Sequence, residues 1–290
     1  MVGGRLRKSA LFLQEFLRYS PRSFATRWAD AMRQITLAEI SNGGERMTHL
    51  WKNDCYYAHL SVYAFALPLM TGRRVLDGGS GAGYGAAWLA DHGVAEVNAI
   101  EFEQLAVDFS QQHFGGRQNL NYRQGSIESL PHIADQSMEA IFSSNVIEHV
   151  PNPCNVFREF ARILKPGGDV LIAVPPVTCK AALELDLTNP HHLHHWTPRQ
   201  WFEVMSRYFN SIMPIRHTYL RDDIVLDFAN TPEQTRISEH DFVFPIAPLD
   251  ELYTKHTFSA TFIVRDPKPL HELPPHGTLP SFAPDSALER

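Results

Sequence analysis

Cysteine is scarce in this chain, three in 290 residues. Cys55, Cys154 and Cys179 are far apart and odd in number, which argues against a disulfide framework or a thiolate zinc site and fits a reducing, cytoplasmic setting. No apolar run approaches the roughly 20 residues that span a bilayer, so stable membrane insertion is not expected. The opening RLRKSALFLQEFLRYS has a basic start, but Gln14, Glu15 and Arg18 interrupt its apolar part and no small-residue cleavage site follows, so a secretory leader is not expected. An excess of basic residues is also missing. With a net charge of -6, the chain lacks the cationic surface on which general nucleic-acid binding depends. No internal repeat is found.

What is present suits a globular protein: 44% hydrophobic and 20% charged residues, and enough length for one large α/β domain with additions. From residue 72 onward, short Val/Ile/Leu runs alternate with turns and helix-period segments, the pattern of a parallel sheet with crossover helices. Strands are expected near 73–77, 95–101, 119–124, 138–143 and 169–174, and helices near 84–92, 103–113 and 153–164. Val156, Phe157, Phe160, Ile163 and Leu164 form the apolar stripe of the last helix, and Lys165-Pro166-Gly167-Gly168 ends it. Thr197, Pro198 and Gln200 spell a capping box at another helix start, with Trp196 and Trp201 placed as a hydrophobic staple. SIMPIRHTYL and TFSATFIVRD read as two later strands around an irregular 221–255 insert that could hang over a site.

Three regions are therefore expected. Residues 1–45 form a helical arm, with Leu11, Phe12, Phe16 and Leu17 at helical spacing and Arg5, Arg7, Lys8, Arg18, Arg22, Arg27 and Arg33 making it cationic. Such a helix docks on its own domain, or on a membrane surface or partner. Residues 46–265 form the main domain with its insert. Residues 266–290, with six prolines, form a tail expected to be largely extended or mobile.

The segment RRVLDGGSGAGYGAAWLA reads as strand, turn and helix. Gly79, Gly81 and Gly83 follow Asp77, and a backbone without Cβ atoms can turn sharply and approach a ligand that meets the free N–H groups of the next helix. A nucleotide-like cofactor is expected there. Gly81, Gly83 and Ala86 also fit the dinucleotide pattern, with Glu101 about twenty residues on, so an NAD-type oxidoreductase is the rival reading. Asp77 weighs against it: a carboxylate beside the turn repels a pyrophosphate and suits a ligand carrying an ammonium group.

VLDGGSGAGYG, the acidic strand end VNAIEFE, QGSIESLP, SMEAIFSSNVIEHVPNP and EFARILKPGG, in that order, resemble the successive motifs of class I S-adenosylmethionine-dependent methyltransferases of the type 11-like group. The resemblance spans roughly residues 45–210. The flanking GGERMTHLWKNDCYYAHLSVYAFA and TNPHHLHHWTPRQWF are similar to a bacterial branch often associated with saccharide, lipopolysaccharide or secondary-metabolite methylation. The resemblance implies a Rossmann-like α/β fold with a seven-stranded, mostly parallel sheet, an antiparallel last strand and helices on both faces. It also implies S-adenosyl-L-methionine as cofactor. Asp77 and the turn of Gly78, Gly79, Ser80, Gly81 and Gly83 would hold its methionine portion, and Glu101 its ribose hydroxyls. Phe102 would lie against the adenine, Gly125, Ser126 and Ile127 along the adenine edge, and Asn145 with Val146 would close the site. The family commonly carries an acid where Ser126 stands, and serine accepts more weakly from the adenine amino group.

The stretch NPHHLHHW places four of fifteen histidines within five positions, just ahead of the Thr197 helix start. If the loop is extended, His192 and His194 point to one side and His191 and His195 to the other. An alcohol acceptor must lose a proton, which a histidine titrating near neutrality can take. His192 and His194 are the candidates, with His149 either touching substrate or anchoring the loop after the fourth strand. No metal is assigned, although His192 and His194 with Asp186 or Glu184 could supply ligands that suit zinc, iron or nickel better than magnesium. The expectation is methyl transfer to a small-molecule or saccharide acceptor, with a homo-oligomer compatible. A catalytically silent partner subunit is a further alternative, suggested by Ser126 and the cationic arm.

Overall fold

The alternation of apolar runs and helical periods resolves into one seven-stranded sheet in the computed structural model, which describes residues 46–221, 227, 230–282 and 285–289. The cationic arm falls outside the described residues, as does part of the 221–255 insert. The strands are β1 (Arg74–Gly78), β2 (Glu96–Glu101), β3 (Leu120–Gln124), β4 (Met138–Ser144), β5 (Leu164–Val174), β6 (Phe209–Arg216) and β7 (Ala260–Pro267). Their order across the sheet is β3-β2-β1-β4-β5-β7-β6. All neighbours are parallel except β7, which runs antiparallel to both β5 and β6.

The long helices are α1 (Asp54–Met70), α2 (Tyr84–Asp91), α3 (Gln104–Phe114), α4 (Pro153–Ile163) and α6 (Pro198–Met205), with a shorter α5 (Lys180–Asp186) between β5 and α6. Because crossovers cover both faces, the central strands are apolar throughout: Val75, Leu76, Ile141, Phe142 and Leu171 are fully buried. The Asn152 side chain accepts from Cys154 N–H at 3.0 Å and so caps α4, whose Val156, Phe157, Phe160 and Ile163 are buried. Each such side chain contributes roughly 1.5–3 kcal/mol through removal from water. At α6 the Thr197–Gln200 capping box forms, and the Trp196 and Trp201 rings meet at 4.6 Å as the staple requires.

Helix α1, like the short α5, is an element that periodicity does not reveal. Its buried residues, among them Tyr56, Leu60, Val62, Tyr63 and Met70, surround the axis, so no single stripe marks it. It lies between the sheet and the later chain. Asn230 accepts from Asp54 N–H at 3.1 Å, and Phe244 stacks on Phe65 at 4.3 Å. The described part of the insert thus packs on α1 rather than along the cleft described below.

The proline-bearing tail is extended but attached. Pro274 C=O accepts from Arg158 at 2.8 Å, and Gly277 N–H donates to Asn155 at 2.9 Å. Asp285, buried, accepts from Thr197 and Tyr253 at 2.7 and 2.8 Å. No helix among the described residues is long and apolar enough to cross a membrane.

Candidate functional site

The carboxyl ends of β1, β2 and β4 form one rim, where open α/β sheets bind ligands. Beyond β1, Gly79 and Ser80 N–H both donate to Ile100 C=O, at 2.8 and 3.0 Å, which ties the turn to β2. Gly79 has φ +83, and a Cβ there would overlap the Val146 side chain. Gly81 has φ +55 with open space where its Cβ would be. One glycine permits the chain to close against β4; the other leaves room on the cleft side. Gly81 N–H donates to Glu101 Oε2 at 2.9 Å, while Glu101 Oε1 accepts from Glu103 N–H at 3.0 Å and from Arg46 at 2.8 Å. Glu101 is therefore held rigidly at the rim rather than solvated.

Asp77 is buried beneath the turn, with the Tyr63 hydroxyl 3.3 and 3.4 Å from its two oxygens. Burial pushes its pKa up to about 7; the Tyr63 hydrogen bond opposes the rise and the nearby Glu101 charge adds to it. An acid so placed gains from a cation above it.

The opposite wall follows β4. Asn145 takes a left-handed φ of +52, and a single 3-10 turn, Ile147–His149, comes after it. Glu148 is fully buried, and its C=O accepts from both Leu193 and His194 N–H, at 2.9 and 3.2 Å, fastening the histidine loop to this turn. His149 Nδ1 donates to His191 C=O at 3.0 Å. His192 and His195 Nδ1 each lie 2.6 Å from a different oxygen of Asp186. Burial alone would raise the Asp186 pKa, but hydrogen bonds from His192 and His195 outweigh it and hold the carboxyl below its ordinary value. The His149 and His192 rings meet edge to face at 4.8 Å.

A cleft of about 220 Å³ joins these parts. It is lined by Gly79, Ser80, Gly81, Asn145, His149 and His192 of the residues expected from sequence, together with Arg46, Tyr63, Tyr84, Glu148 and Asn189. His194 is not among its walls. The loop bends through a His192 N–H to Asn189 C=O turn and is then clamped by Glu148, so strict alternation is lost. His194 Nε2 donates to Val150 C=O at 2.9 Å, its ring lies 4.7 Å from Trp196, and burial lowers its pKa.

The residues expected around an adenine lie away from this cleft. Phe102 is 67% exposed just past β2. Gly125 N–H donates to Glu101 C=O at 2.9 Å, Ser126 Oγ accepts from Glu128 N–H at 3.2 Å, and Ile127 is buried. Val146 packs against Gly79, and Gly83 stands at the start of α2. Sequence reasoning missed Arg46, Tyr63 and His195. It also weighed Asp186 only as a metal ligand, although the Asp186–His192 spacing is compatible with a turn that brings them together.

Residues 76–172 match the methyltransferase domain family. Among curated proteins, the chain is similar to the ubiquinone biosynthesis O-methyltransferases of Paracidovorax citrulli, 34% identical over 39% of this chain and 48% of that one, and of Alkalilimnicola ehrlichii, 33% identical over 42% and 49%. The chain spans about half the length of these curated relatives. Among solved structures, an S-adenosylmethionine-dependent methyltransferase of Thermotoga maritima shares the fold at TM-score 0.55 and 14% identity, covering 73% of this chain and 90% of that one. A Haloferax volcanii methyltransferase solved with its Trm112 activator does so at TM-score 0.52 and 20% identity, covering 72% and 90%. The family match selects the methyl-donor reading of the glycine turn over the dinucleotide one. The chain's sheet order, its turn and this match over residues 76–172 support a class I methyltransferase, a family whose methyl donor is S-adenosylmethionine.

Proposed function

We propose that this protein transfers a methyl group from S-adenosyl-L-methionine to a hydroxyl of a small-molecule or saccharide acceptor. The observation that carries the reading is the cleft between the Gly79–Gly81 turn and the His149–His192 wall. The residues present fit the cofactor: a buried acid, Asp77, lies under the turn, Glu101 stands at the β2 end, and open space lies at Gly81. When bound, the cofactor supplies a methyl group on a positively charged sulfur, already activated for in-line attack.

Asp77 would balance the ammonium of the methionine portion, and Glu101, exchanging its Arg46 partner, would accept the ribose hydroxyls. Phe102, Ser126 and Ile127 would border the adenine along the open rim beyond Glu101. The turn and Asn145 would set the angle of approach, a positioning effect that reaches several kcal/mol, on the order of 7–11 in the best intramolecular cases. His192 is the base we favour over His194. Asp186 orients the ring through Nδ1, and Nε2 would take the acceptor's proton, a contribution of roughly 10²–10⁴ in rate. The hydroxyl acceptor is supported by the O-methyltransferases that share about a third of their aligned residues with this chain.

The test is calorimetric titration with S-adenosylhomocysteine, then a screen of phenolic and sugar hydroxyl acceptors with methyl-labelled donor. Micromolar binding and label in an ether product are expected. Failure to bind the product nucleoside would end the proposal; label only on nitrogen acceptors would end its hydroxyl part.

A further inference from the structure

We infer that Glu148, His149 and His192 form a binding site for a divalent transition-metal ion in the wall of the cleft. One ligand atom from each of the three lies within 4.8 Å of the others, and Glu148 Oε1 is 3.7 Å from His149 Nε2. Two ligands of one tetrahedral ion at bond lengths of ~2.1 Å are separated by about 3.4 Å, so small side-chain rotations complete the set.

Proximity alone is common among histidines; the outer contacts are what distinguish this group. A metal-bound imidazole typically gives its second ring N–H to a carboxylate or a carbonyl, which fixes the tautomer and aims the other nitrogen. Both kinds of partner are present here. Asp186 holds His192 Nδ1 at 2.6 Å, and the His191 C=O accepts from His149 Nδ1 at 3.0 Å. A carbonyl can only accept, so His149 carries its proton on Nδ1 and turns Nε2 towards Glu148. The third ligand comes from a fully buried residue on the same 3-10 turn, and the Glu148 C=O clamps the histidine loop through Leu193 and His194 N–H. The frame is therefore rigid without an ion.

Two imidazoles and one carboxylate with the remaining positions facing a cleft suit Fe²⁺, Co²⁺, Mn²⁺ or Zn²⁺ better than Mg²⁺, which prefers oxygen. His195 shares Asp186 with His192 and offers a competing group, Asp186–His192–His195, of which only His192 lines the cleft. In that group both carboxylate oxygens already bond the two Nδ1 atoms, so an ion would have to displace the contacts that orient the rings.

The role of the ion rests on the methyl-transfer reading. It would bind the acceptor oxygen and lower its pKa, so that the hydroxyl proton passes to solvent and the oxygen lone pair attacks the methyl carbon as the carbon–sulfur bond breaks. His192 is then a ligand rather than the base. An acceptor with two neighbouring oxygens, a vicinal diol or catechol, would fill two open positions.

Full-length protein stripped with a chelator and titrated with Co²⁺ should bind one tight equivalent with visible ligand-field bands. His149→Gln and Glu148→Gln should each weaken that equivalent at least about tenfold, the scale on which even an outer-shell loss is felt, while His195→Gln should change it less. Binding of S-adenosylhomocysteine to each variant reports that the cleft is intact. No cobalt equivalent, or one abolished by His195→Gln and untouched by His149→Gln, overturns the inference. If stripped protein binds S-adenosylhomocysteine but no cobalt, the metal site alone falls. If it binds cobalt as described but not S-adenosylhomocysteine, the site stands and the methyl-transfer reading falls.

Discussion

Replacing each of two turn glycines by alanine separates the part of the turn that builds the fold from the part that meets a ligand. At Gly79 the backbone is left-handed, φ +83, which costs an alanine about 1–2 kcal/mol, and the new methyl would overlap the Val146 side chain. Val146 follows Asn145, whose N–H is bonded to Ala173 C=O, so it has little freedom to retreat. Overpacking of this kind adds about 1–3 kcal/mol. Gly79→Ala should therefore lose about 2–5 kcal/mol in all, a large share of the 5–15 kcal/mol typical of folded domains. At Gly81, φ +55, nothing lies within 4 Å of the added methyl, so only the backbone term applies, about 1–2 kcal/mol. That methyl occupies space the cofactor needs, and S-adenosylhomocysteine affinity should drop at least about tenfold, equivalent to 1.4 kcal/mol. Urea unfolding and calorimetric titration of the two variants provide the check. An unchanged unfolding midpoint for Gly79→Ala would refute the close approach to Val146, and unchanged nucleoside affinity for Gly81→Ala would refute the placement of the cofactor.

Asp77, with a pKa raised to about 7 by burial, should make cofactor affinity rise with pH between about 5 and 7, because only the ionised acid attracts the ammonium; a flat titration curve would contradict this. The same raised pKa means the folded chain keeps a proton that the unfolded chain releases above the ordinary value of 3.8, so Asp77's contribution to stability is complete below that value and is lost as pH rises through about 7. Asp77→Asn should accordingly be stabilising relative to the parent at pH 8 and not at pH 4, while weakening cofactor binding. Once an acceptor is found, His192→Asn should reduce turnover by about 10²–10⁴ with nucleoside affinity preserved. His194→Ala, which removes the bond to Val150, should instead cost about 1–3 kcal/mol in denaturant unfolding and spare turnover. Asp285→Ala should lower stability by about 1–3 kcal/mol through the loss of its Thr197, Tyr253 and Arg199 contacts; an unchanged melting curve would mean that the tail is not anchored as described.

The elements that local chemistry specifies were legible in the residues alone. Asn152-Pro153 and Thr197-Pro198 start α4 and α6, apolar runs give the strands, and the glycines after Asp77 mark the turn, because caps, turns and side-chain periods act over a few residues. Helix α1 escaped because its buried residues surround the axis, and Arg46 because a lone arginine far from its partner, Glu101, leaves no local trace. The anchoring of the tail was equally hidden, since proline-rich composition says that a segment is extended but not what its backbone meets.

The histidine loop shows the boundary most clearly. Its composition announced a group of imidazoles, and the Thr197 cap placed that group just before a helix. Only the tertiary structure separated His192 from His194. Two backbone N–H groups bonded to the Glu148 carbonyl bend the loop out of strand alternation, and Asp186, Val150 and His191 each take a ring nitrogen. Sequence by itself thus determined the sheet grammar, the glycine turn and the kinds of side chain available to it. Which side chains face the cleft depended on hydrogen bonds between segments more than forty positions apart, where the direction of an imidazole is set by partners that no local pattern encodes.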